Sequence, residues 1–270
     1  MAGSSSRARS ARGGLMRRAG FGVALMSIAL FIPGAASTAT PVIVHPALPH
    51  IIHRGNGTAQ SSNWSGYAAY NATFSDVKGS WSQPAANCSS TTTAQYASFW
   101  VGLDGYKSSS VEQLGTDSDC AGRNTPSYYA WWEMYPNPSH QISGFAVRPG
   151  DSISADVSRL ATLYTLTLVN NTTGQRFSTT QTSTAANSSA EWVAEAPSQC
   201  IIVFCRVLPL ANFGTITFTG SYATSGTQKS ISGYANDSIT MTDTTGTTVR
   251  AQPSGLSPDG TSFSDTWRHS

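Results

Sequence analysis

Residues 161–169 read ATLYTLTLV, a stretch in which Leu166 and Leu168 alternate with Thr165 and Thr167. In a β-strand successive side chains point to opposite faces, so this repeat of two separates apolar residues from threonines. The stretch therefore predicts a strand with one buried face and one solvated face. No helical repeat is sustained after the first 40 residues, so we expect the body of the protein to be built from strands.

Similar segments, rich in aromatic and β-branched residues, recur along the chain and are separated by Gly, Asn, Ser, Thr and Pro at intervals of about 8–15 residues. They are found at 96–103, 128–135, 152–157, 190–196, 215–219 and in parts of 230–240. Many short strands in one body of about 210 residues predict a single all-β domain, either a sandwich or a barrel. The polar residues 251–270 are expected to form a loosely held tail, which Trp267 could dock.

Charge is scarce in this sequence and is unevenly distributed. Of 270 residues, 11% are charged, against about 25% in an average soluble domain, whereas 39% are hydrophobic and 10% aromatic. This composition argues against a coiled coil, a helical bundle and a disordered chain. Residues 1–54 hold six arginines and no acid, whereas residues 55–270 hold ten cations and fourteen acids, a net charge of −4. A mildly acidic body argues against a nucleic-acid partner.

The beginning of the chain has the pattern of an export signal. Arginines precede the apolar stretch AGFGVALMSIALFI at residues 19–32, and a Pro-Gly pair and small residues follow it. This order is typical of a secretory signal peptide, and 14 apolar residues are fewer than the roughly 20 that a membrane span needs. We therefore expect a signal peptide at 1–39 and a secreted protein.

The segment at 40–57 is expected to be a linker or a short pro-segment before a domain at 58–270. It contains three of the five histidines, His45, His50 and His53, together with three prolines. As a pro-segment it would be held on the acidic body and released when acid protonates these histidines.

Four cysteines, an even number in a chain expected to be exported, predict two disulfide bonds. Three pairings are possible. We favour Cys88 with Cys120 and Cys200 with Cys205, the second of which would close a tight hairpin. The sequence has no CxxC motif and no Cys/His cluster, so a structural metal site is not expected.

The sequence after residue 57 lacks the residues that several classes of enzyme need for catalysis. After residue 57 only His140 and His269 remain, and no GxSxG motif supports a serine nucleophile, so we expect His140 to be a surface residue. The zinc-peptidase motif HExxH, nucleotide-binding glycine motifs and the paired Asp-Thr-Gly loops of pepsin-like enzymes are absent from the sequence. We expect neither a metal nor a cofactor.

Carboxylates within aromatic strand segments are the remaining candidates for chemistry. Glu133 lies in YYAWWEMYP (128–136), and Glu191 and Glu195 lie in AEWVAEAP (190–197), four residues apart and so on one face of a regular strand. Because a buried carboxylate costs several kcal/mol unless it is hydrogen-bonded or protonated, acids and aromatics on one face indicate a groove. The alternative is that these acids lie on an exposed face and have no role.

Five short motifs occur in the order and approximate spacing of one protein family: SNWSGY (62–67), FWVGLDG (99–105), QLGTD (113–117), AWWEMYP (130–136) and AEWVAE (190–195). Each is weak alone, but together they are specific, and the match extends from about residue 61 to about residue 205. Through these motifs the chain resembles the glutamic peptidases, or eqolisins, in particular their bacterial branch. Members of this family are secreted endopeptidases that act in acid.

The resemblance implies an antiparallel two-sheet β-sandwich of the concanavalin or lectin-like kind, with a concave cleft. It implies a catalytic pair of Gln113 and Glu195, rather than Glu191. The residues implied to line or support the cleft and bind substrate are Trp64, Asp104, Asp117, Trp131, Glu133 and Tyr135. Tyr129 departs from the family pattern, because fungal members tend to carry an acid there. The expected partners are extended polypeptide substrates, with no nucleic acid and no membrane after processing, and a monomer is expected.

The implied chemistry needs only two side chains. Glu195 as a carboxylate takes a proton from the attacking water, the Gln113 amide stabilises the oxyanion, and protonated Glu195 gives the proton to the leaving nitrogen. A carboxyl pKa of about 4–5 would suit this role in acid. Three alternatives stay open: a lectin-like sandwich whose tryptophans stack on sugars, a glycosidase using Glu133 with Glu195 or Glu191, and a structural cell-surface domain.

Overall fold

The computed structural model describes residues 42–44, 51–201 and 204–270, which form twenty β-strands and one short 3-10 helix, Ile231–Gly233. The strands are β1 (Val42–Val44), β2 (Ile51–Gly55), β3 (Thr58–Ser61), β4 (Trp64–Tyr70), β5 (Asp76–Ser82), β6 (Ser98–Leu103), β7 (Val111–Cys120), β8 (Pro126–Tyr135), β9 (His140–Gln141), β10 (Ser152–Leu160), β11 (Leu163–Asn170), β12 (Gln175–Thr182), β13 (Ser189–Glu195), β14 (Ser198–Ile201), β15 (Phe204–Val207), β16 (Thr215–Ser225), β17 (Thr227–Ser230), β18 (Ala235–Thr242), β19 (Val249–Pro253) and β20 (Phe263–Trp267).

A front sheet carries the residues that the motifs singled out. Its strands lie side by side in the order β2, β3, β18, β4, β13, β6, β7, β8 and β9, and all neighbours are antiparallel except β3 and β18. Strand β13, which contains both Glu191 and Glu195, is paired along its whole length with β4 on one side. Pairing with β6 on the other side fixes the direction of its side chains.

A back sheet lies behind the front sheet and has the order β12, β11, β10, β5 and β16. Strand β16 continues to β20, which pairs with β19, and β19 pairs with the front strand β18. The two sheets are therefore joined at this edge. A separate small sheet contains β1, β14 and β15.

The two sheets pack around one apolar core. Phe99 and Trp192 enter it from the front sheet and Ile153 and Leu166 from the back sheet, and none of the four has any exposed surface. In β11 the buried residues alternate with partly exposed ones such as Thr167, as the repeat of two in the sequence predicts. This alternation gives each sheet one apolar face, and burying the two apolar faces against each other produces the sandwich.

The all-β sandwich predicted from the sequence is confirmed, with shifts at strand ends. The stretch at 161–169 becomes a strand only from Leu163, because Ala161 has a positive φ of 56° and residues 161 and 162 form a turn. The C-terminal residues differ from the expected loose tail. Phe263 and Asp265 are buried in β20, because the alternation of this short strand fits between β16 and β19.

The N-terminal segment and the cysteines can be compared with expectation only within the described residues. The segment at 40–57 includes two strands, since β1 pairs with β14 and β2 with β3. The signal peptide predicted at 1–39 lies outside the described residues. Both favoured disulfide bonds, Cys88–Cys120 and Cys200–Cys205, are present. No helix among the described residues is long and apolar enough to cross a membrane.

Candidate active site

The face of the front sheet that points away from the core, called the front face below, carries the candidate site. Strand register arranges its residues in three rows, each named after one member. The Glu195 row contains Trp64, Glu195, Ser98, Asp117 and Tyr129; the Trp100 row contains Gly66, Val193, Trp100, Gly115 and Trp131; the Gln113 row contains Ala68, Glu191, Gly102, Gln113 and Glu133. The side chains of every acid and amide in these rows are buried.

Glu195 is held by hydrogen bonds from two neighbouring strand regions. Its Oε2 accepts from Trp100 Nε1 at 2.8 Å, and its Oε1 accepts from Asn63 Nδ2 at 3.2 Å. Burial raises the pKa of Glu195 well above its ordinary value, and nearby Asp117 adds to this, whereas the bond from Trp100 opposes it. The pKa of Glu195 therefore lies above the value of about 4–5 expected from the sequence, and the protonated form is favoured in this structure.

Gln113 lies in the middle of β7 and has no exposed surface. Its Nε2 donates to Glu133 Oε2 at 2.7 Å, so Glu133 fixes the orientation of the amide. Gly102 lies beside it on β6, and a Cβ at that position would come within 3.0 Å of the Gln113 Cβ. A Cβ at Gly102 would also come within 3.0 Å of the Trp100 ring, so glycine allows Gln113 and Trp100 to pack closely on the front face.

Gln113 and Glu195 point to the same face but are not direct cross-strand neighbours. The register places Asp117, four residues after Gln113, in the same row as Glu195. Four residues correspond to about 13 Å along a strand. The Trp100 row separates the two side chains, so any joint action of the pair takes place above that row. Glu191, not Glu195, occupies the row of Gln113.

Asp117 is supported by two aromatic residues of β8. Trp131 Nε1 donates to its Oδ1 at 2.6 Å, and the Tyr129 hydroxyl donates to its Oδ2 at 2.7 Å. Burial raises the pKa of Asp117 to about 7, and these donors oppose the rise. Tyr129, where the resemblance implies an acid in fungal members, thus contributes a hydrogen-bond donor to a carboxyl group that acts on the pKa of Glu195.

The remaining residues that the resemblance implies for the cleft are Trp64, Asp104 and Tyr135, and each has its own surroundings. Trp64 packs edge to face on Trp100 at 4.9 Å between ring centroids, and both rings are fully buried. Asp104, with a positive φ of 71°, accepts from the Ser108 hydroxyl at 3.0 Å and from Ser188 N at 2.8 Å. Its carboxyl group therefore holds two loops together, and its implied role at the cleft stays a prediction. Tyr135 pairs with Val111 at the end of β8.

Sequence reasoning did not identify Trp100, Asn63 or Glu112 as functional candidates. Trp100 lies inside the motif FWVGLDG (99–105) and shares a face of β6 with Gly102, two residues later. Its place in that motif could have identified Trp100, whereas the contact between Asn63 and Glu195 joins residues 132 positions apart and has no local signal. Among the described residues, no group of three or more His, Cys, Asp or Glu could hold a metal ion.

Comparisons with known proteins agree with this architecture. The model of the Peptidase A4 family matches residues 62–258. The chain is 30% identical over 199 residues to Aspergillopepsin-2 of Aspergillus niger, and the match covers 63% of this chain and 68% of the relative. It is 32% identical over 172 residues to Scytalidopepsin B of Scytalidium lignicola, and this match covers 61% of this chain and 64% of the relative.

Solved structures give the same result. The chain resembles scytalido-glutamic peptidase crystallised with a transition state analog inhibitor, with a TM-score of 0.66, 27% identity and coverage of 77% of this chain and 98% of that one. It also resembles aspergilloglutamic peptidase from Aspergillus niger, with a TM-score of 0.53, 29% identity and coverage of 64% and 99%. The family match spans most of the front sheet and most of the back sheet. The chain therefore belongs to the Peptidase A4 family, the glutamic peptidases, and is a peptide-bond hydrolase.

Proposed function

We propose that this protein is a secreted endopeptidase that acts in acid and hydrolyses extended polypeptides with Gln113 and Glu195. The observation that carries the proposal is the buried Glu195 carboxyl, held by Trp100 and Asn63 on the face that also carries Gln113. A strongly perturbed carboxyl at the centre of a paired sheet is typical of a catalytic group. Membership of the glutamic peptidase family supports the same assignment.

The proposed reaction is an attack by water without a covalent intermediate. Ionised Glu195 removes a proton from water while the water oxygen bonds to the scissile carbonyl carbon. The Gln113 amide has two N–H groups, so one can stay on Glu133 while the other donates to the oxyanion. Protonated Glu195 then transfers its proton to the amide nitrogen as the C–N bond breaks.

The hydrogen bonds to Glu195 support both protonation states that this cycle needs. Burial favours the protonated form, which is the proton donor. The donors Trp100 Nε1 and Asn63 Nδ2 favour the ionised form, which is the base. When a substrate and the attacking water enter the site, they replace part of the hydration that the Glu195 carboxyl loses on burial. We therefore expect the pKa of Glu195 to be lower in the working enzyme than in a covered, inactive state.

The N-terminal part of the chain is proposed to be a signal peptide at 1–39 and a pro-segment at 40–57. Strand β1 pairs with β14, which begins three residues after Glu195, and β2 pairs with β3, which precedes Asn63. The two described parts of the segment thus pair with strands that lie close in sequence to Glu195 and to Asn63. Front-face residues such as Gln113 and Glu195 have no exposed surface, which fits an inactive, covered state.

The described part of the proposed pro-segment contacts the body through a histidine. His53 Nδ1 lies 3.5 Å from Asp237 Oδ2 and 3.0 Å from the Tyr106 hydroxyl. These contacts bring the His53 ring to a carboxyl group of the body, which supports a segment held on an acidic body.

Secretion is supported by the cysteine chemistry. All four cysteines are paired, Cys88 with Cys120 and Cys200 with Cys205, and structural disulfides persist mainly in oxidising compartments. We propose that the working enzyme is an extracellular monomer that needs neither a cofactor nor a nucleic acid.

A digestion experiment tests the proposed function. The purified protein is incubated with a denatured protein substrate at about pH 3–4, where an ordinary carboxyl begins to ionise, with a metal chelator and an inhibitor of pepsin-like enzymes present. We expect peptide products from the wild type and none from Glu195→Gln or Gln113→Ala, with unchanged circular dichroism. Full hydrolysis by either variant would refute the assignment. Sugar binding or glycoside cleavage without proteolysis would support the lectin-like alternative or the glycosidase alternative.

A further inference from the structure

A pocket of about 320 Å³ lies beside one end of the front face, between the loop at 108–110, the end of β8 and residues 182–186. Its walls present neutral polar groups, including the side chains of Ser108, Asn137 and Ser183. Tyr135, the last residue of β8, belongs both to this wall and to the aromatic cluster of the front face. Glu112 alternates with Gln113 along β7, so its side chain lies on the core side of that strand, and the pocket opens at the end of the sandwich, with Tyr135 between it and the front face.

Glu112 lines this pocket and is 1% exposed. Its Oε1 accepts from the Ser183 hydroxyl at 3.3 Å, whereas its Oε2 has no hydrogen-bond partner among the described residues. Burial, followed by the charge of Asp104, raises the pKa of Glu112 to about 8, and the hydroxyls of Ser183 and Ser110 oppose this rise. A buried carboxyl oxygen without a partner is costly, so its retention points to a ligand that completes it.

The surroundings of Glu112 are negative. Asp104 acts on it from the loop after β6, Glu112 in turn acts on Glu191 of β13, and the Tyr164 hydroxyl faces it from β11. Arg159 of β10 acts on Tyr164 but does not line the pocket. No Lys, Arg or His is found among the described lining residues, and the ion pairs of the described chain, His53–Asp237 and Lys78–Asp76, do not involve this group. The missing charge is positive, so a cation is the ligand that this site would favour.

We propose that this pocket binds the cationic side chain of a lysine or arginine residue in the polypeptide substrate, with Glu112 as the residue that determines this preference. The proposal rests on the proposed peptidase function and extends it to substrate specificity. The ammonium or guanidinium group would donate to Oε2 of Glu112 and would be flanked by the hydroxyls of the pocket wall. The aliphatic part of the side chain would lie against Met134 and Tyr135.

The preference depends on pH in a defined direction. Glu112 is neutral in strong acid, and it ionises as the pH rises towards its pKa. A cation in the pocket favours the ionised form and lowers that pKa. Selectivity for a basic residue is therefore expected to increase as the pH is raised from about 4 to about 7.

The test compares paired peptides that differ only in lysine or the uncharged norleucine, scanned over successive positions around one cleaved bond. For the wild-type enzyme we expect one position at which kcat/KM is about tenfold higher for the lysine peptide, with a ratio that grows with pH. In Glu112→Gln, which keeps the shape of the side chain, this ratio is expected to fall to about one at every pH. Asp156→Asn removes a carboxyl far from the pocket and is expected to keep the wild-type ratio.

Each outcome of this experiment is informative. A wild-type ratio of about one at every position, or an unchanged ratio in Glu112→Gln, would overturn the proposal while hydrolysis itself continued. If the wild type cleaved neither peptide of any pair, the proposed function would fail, and this inference with it. If Glu112→Gln did not fold, the pH dependence of the wild-type ratio decides, since a ratio that does not change with pH contradicts a role for Glu112.

Discussion

The two outer surfaces of the sandwich are built from similar strands but differ in how they treat carboxyl groups. On the front face, Glu195 and Asp117 are fully buried and receive hydrogen bonds from aromatic and amide side chains. On the outer face of the back sheet, called the back face below, Asp156 and Lys78 line an open groove of about 510 Å³, and Lys78 Nζ lies 4.0 Å from Asp76 Oδ1. Burial raises the pKa of Asp156 only to about 6, and the Lys78 charge opposes it.

This difference shows that the front face is built at a cost in folding free energy that the back face does not have. Back-face residues such as Thr167 and Ser178 make short-range hydroxyl contacts and remain partly solvated, as an outer sheet surface ordinarily does. The front face instead holds several acids away from water without a described cation to balance them. Burial of this kind costs free energy unless the acid is protonated or hydrogen-bonded, which is why perturbed carboxyls indicate chemistry.

The largest expected effect contrasts one acid from each face. Glu195→Gln is expected to lower kcat/KM by at least about 10³-fold, because it removes the proposed general base and acid. Asp156→Asn is expected to leave kcat/KM within about twofold, since the groove on the back face takes no part in the reaction. Steady-state kinetics with one peptide in acid measure both. Comparable losses in the two variants would remove the functional distinction between the faces.

The next effect concerns stability as a function of pH. Glu112, Asp117 and Asp265 have pKa values of about 8, 7 and 7, raised by burial above the ordinary values of 4.5, 3.8 and 3.8. Because the folded state keeps protons that the unfolded state releases, the free energy of unfolding is highest below about pH 4 and falls as the pH rises from about 4 to 8. This is the reverse of ordinary acid denaturation.

Urea unfolding at pH 4, 6 and 8 measures this loss, which we expect to be several kcal/mol in total. Asp265→Asn should reduce the loss of unfolding free energy between pH 4 and pH 8 by on the order of 2 kcal/mol, because a neutral amide has no proton to lose. Asp156→Asn on the back face should change the curve less, since the pKa of Asp156 is raised less. Stability that increased from pH 4 to pH 8 would contradict the assignment of neutral buried acids.

The smallest effect concerns Tyr129. Tyr129→Phe removes the hydroxyl that donates to Asp117 at 2.7 Å and should reduce the free energy of unfolding by about 1–2 kcal/mol. Loss of this donor also favours neutral Asp117, which weakens its charge effect on Glu195, lowers the Glu195 pKa and should move the acid limb of the pH–rate profile to lower pH. Thr167→Ala on the back face is the matched control. An unchanged pH–rate profile in Tyr129→Phe would show that Asp117 does not influence the pKa of Glu195 in the working enzyme.

The structure shows how the low charge content of the chain affects its stability in acid. The sequence suggested that a body with few charges has few ion pairs to lose in acid, and the described residues contain only the pairs His53–Asp237 and Lys78–Asp76. Several of its remaining acids are buried and held neutral, Asp265 between the sheets among them. Acid thus favours the folded state directly, because protonation removes the cost of burying these carboxyls.

The sequence by itself determined the strand-rich architecture and the family. Alternation along residues such as Thr165 to Leu168 requires no distant contact, because the pleat of a strand assigns side chains to faces locally. The motifs that contain Gln113 and Glu195 predicted strands at both positions by the same rule. The even cysteine count predicted two disulfides, and of the three possible pairings the favoured one is confirmed.

Only the tertiary structure decided the environment of the candidate site. The donors to Glu195 come from residues 95 and 132 positions away, and strand register placed Asp117, rather than Gln113, in its row. The burial that shifts the Glu195 pKa also arises from packing across strands. Such contacts depend on which strands become neighbours, and a pattern read along one strand contains no information about that choice.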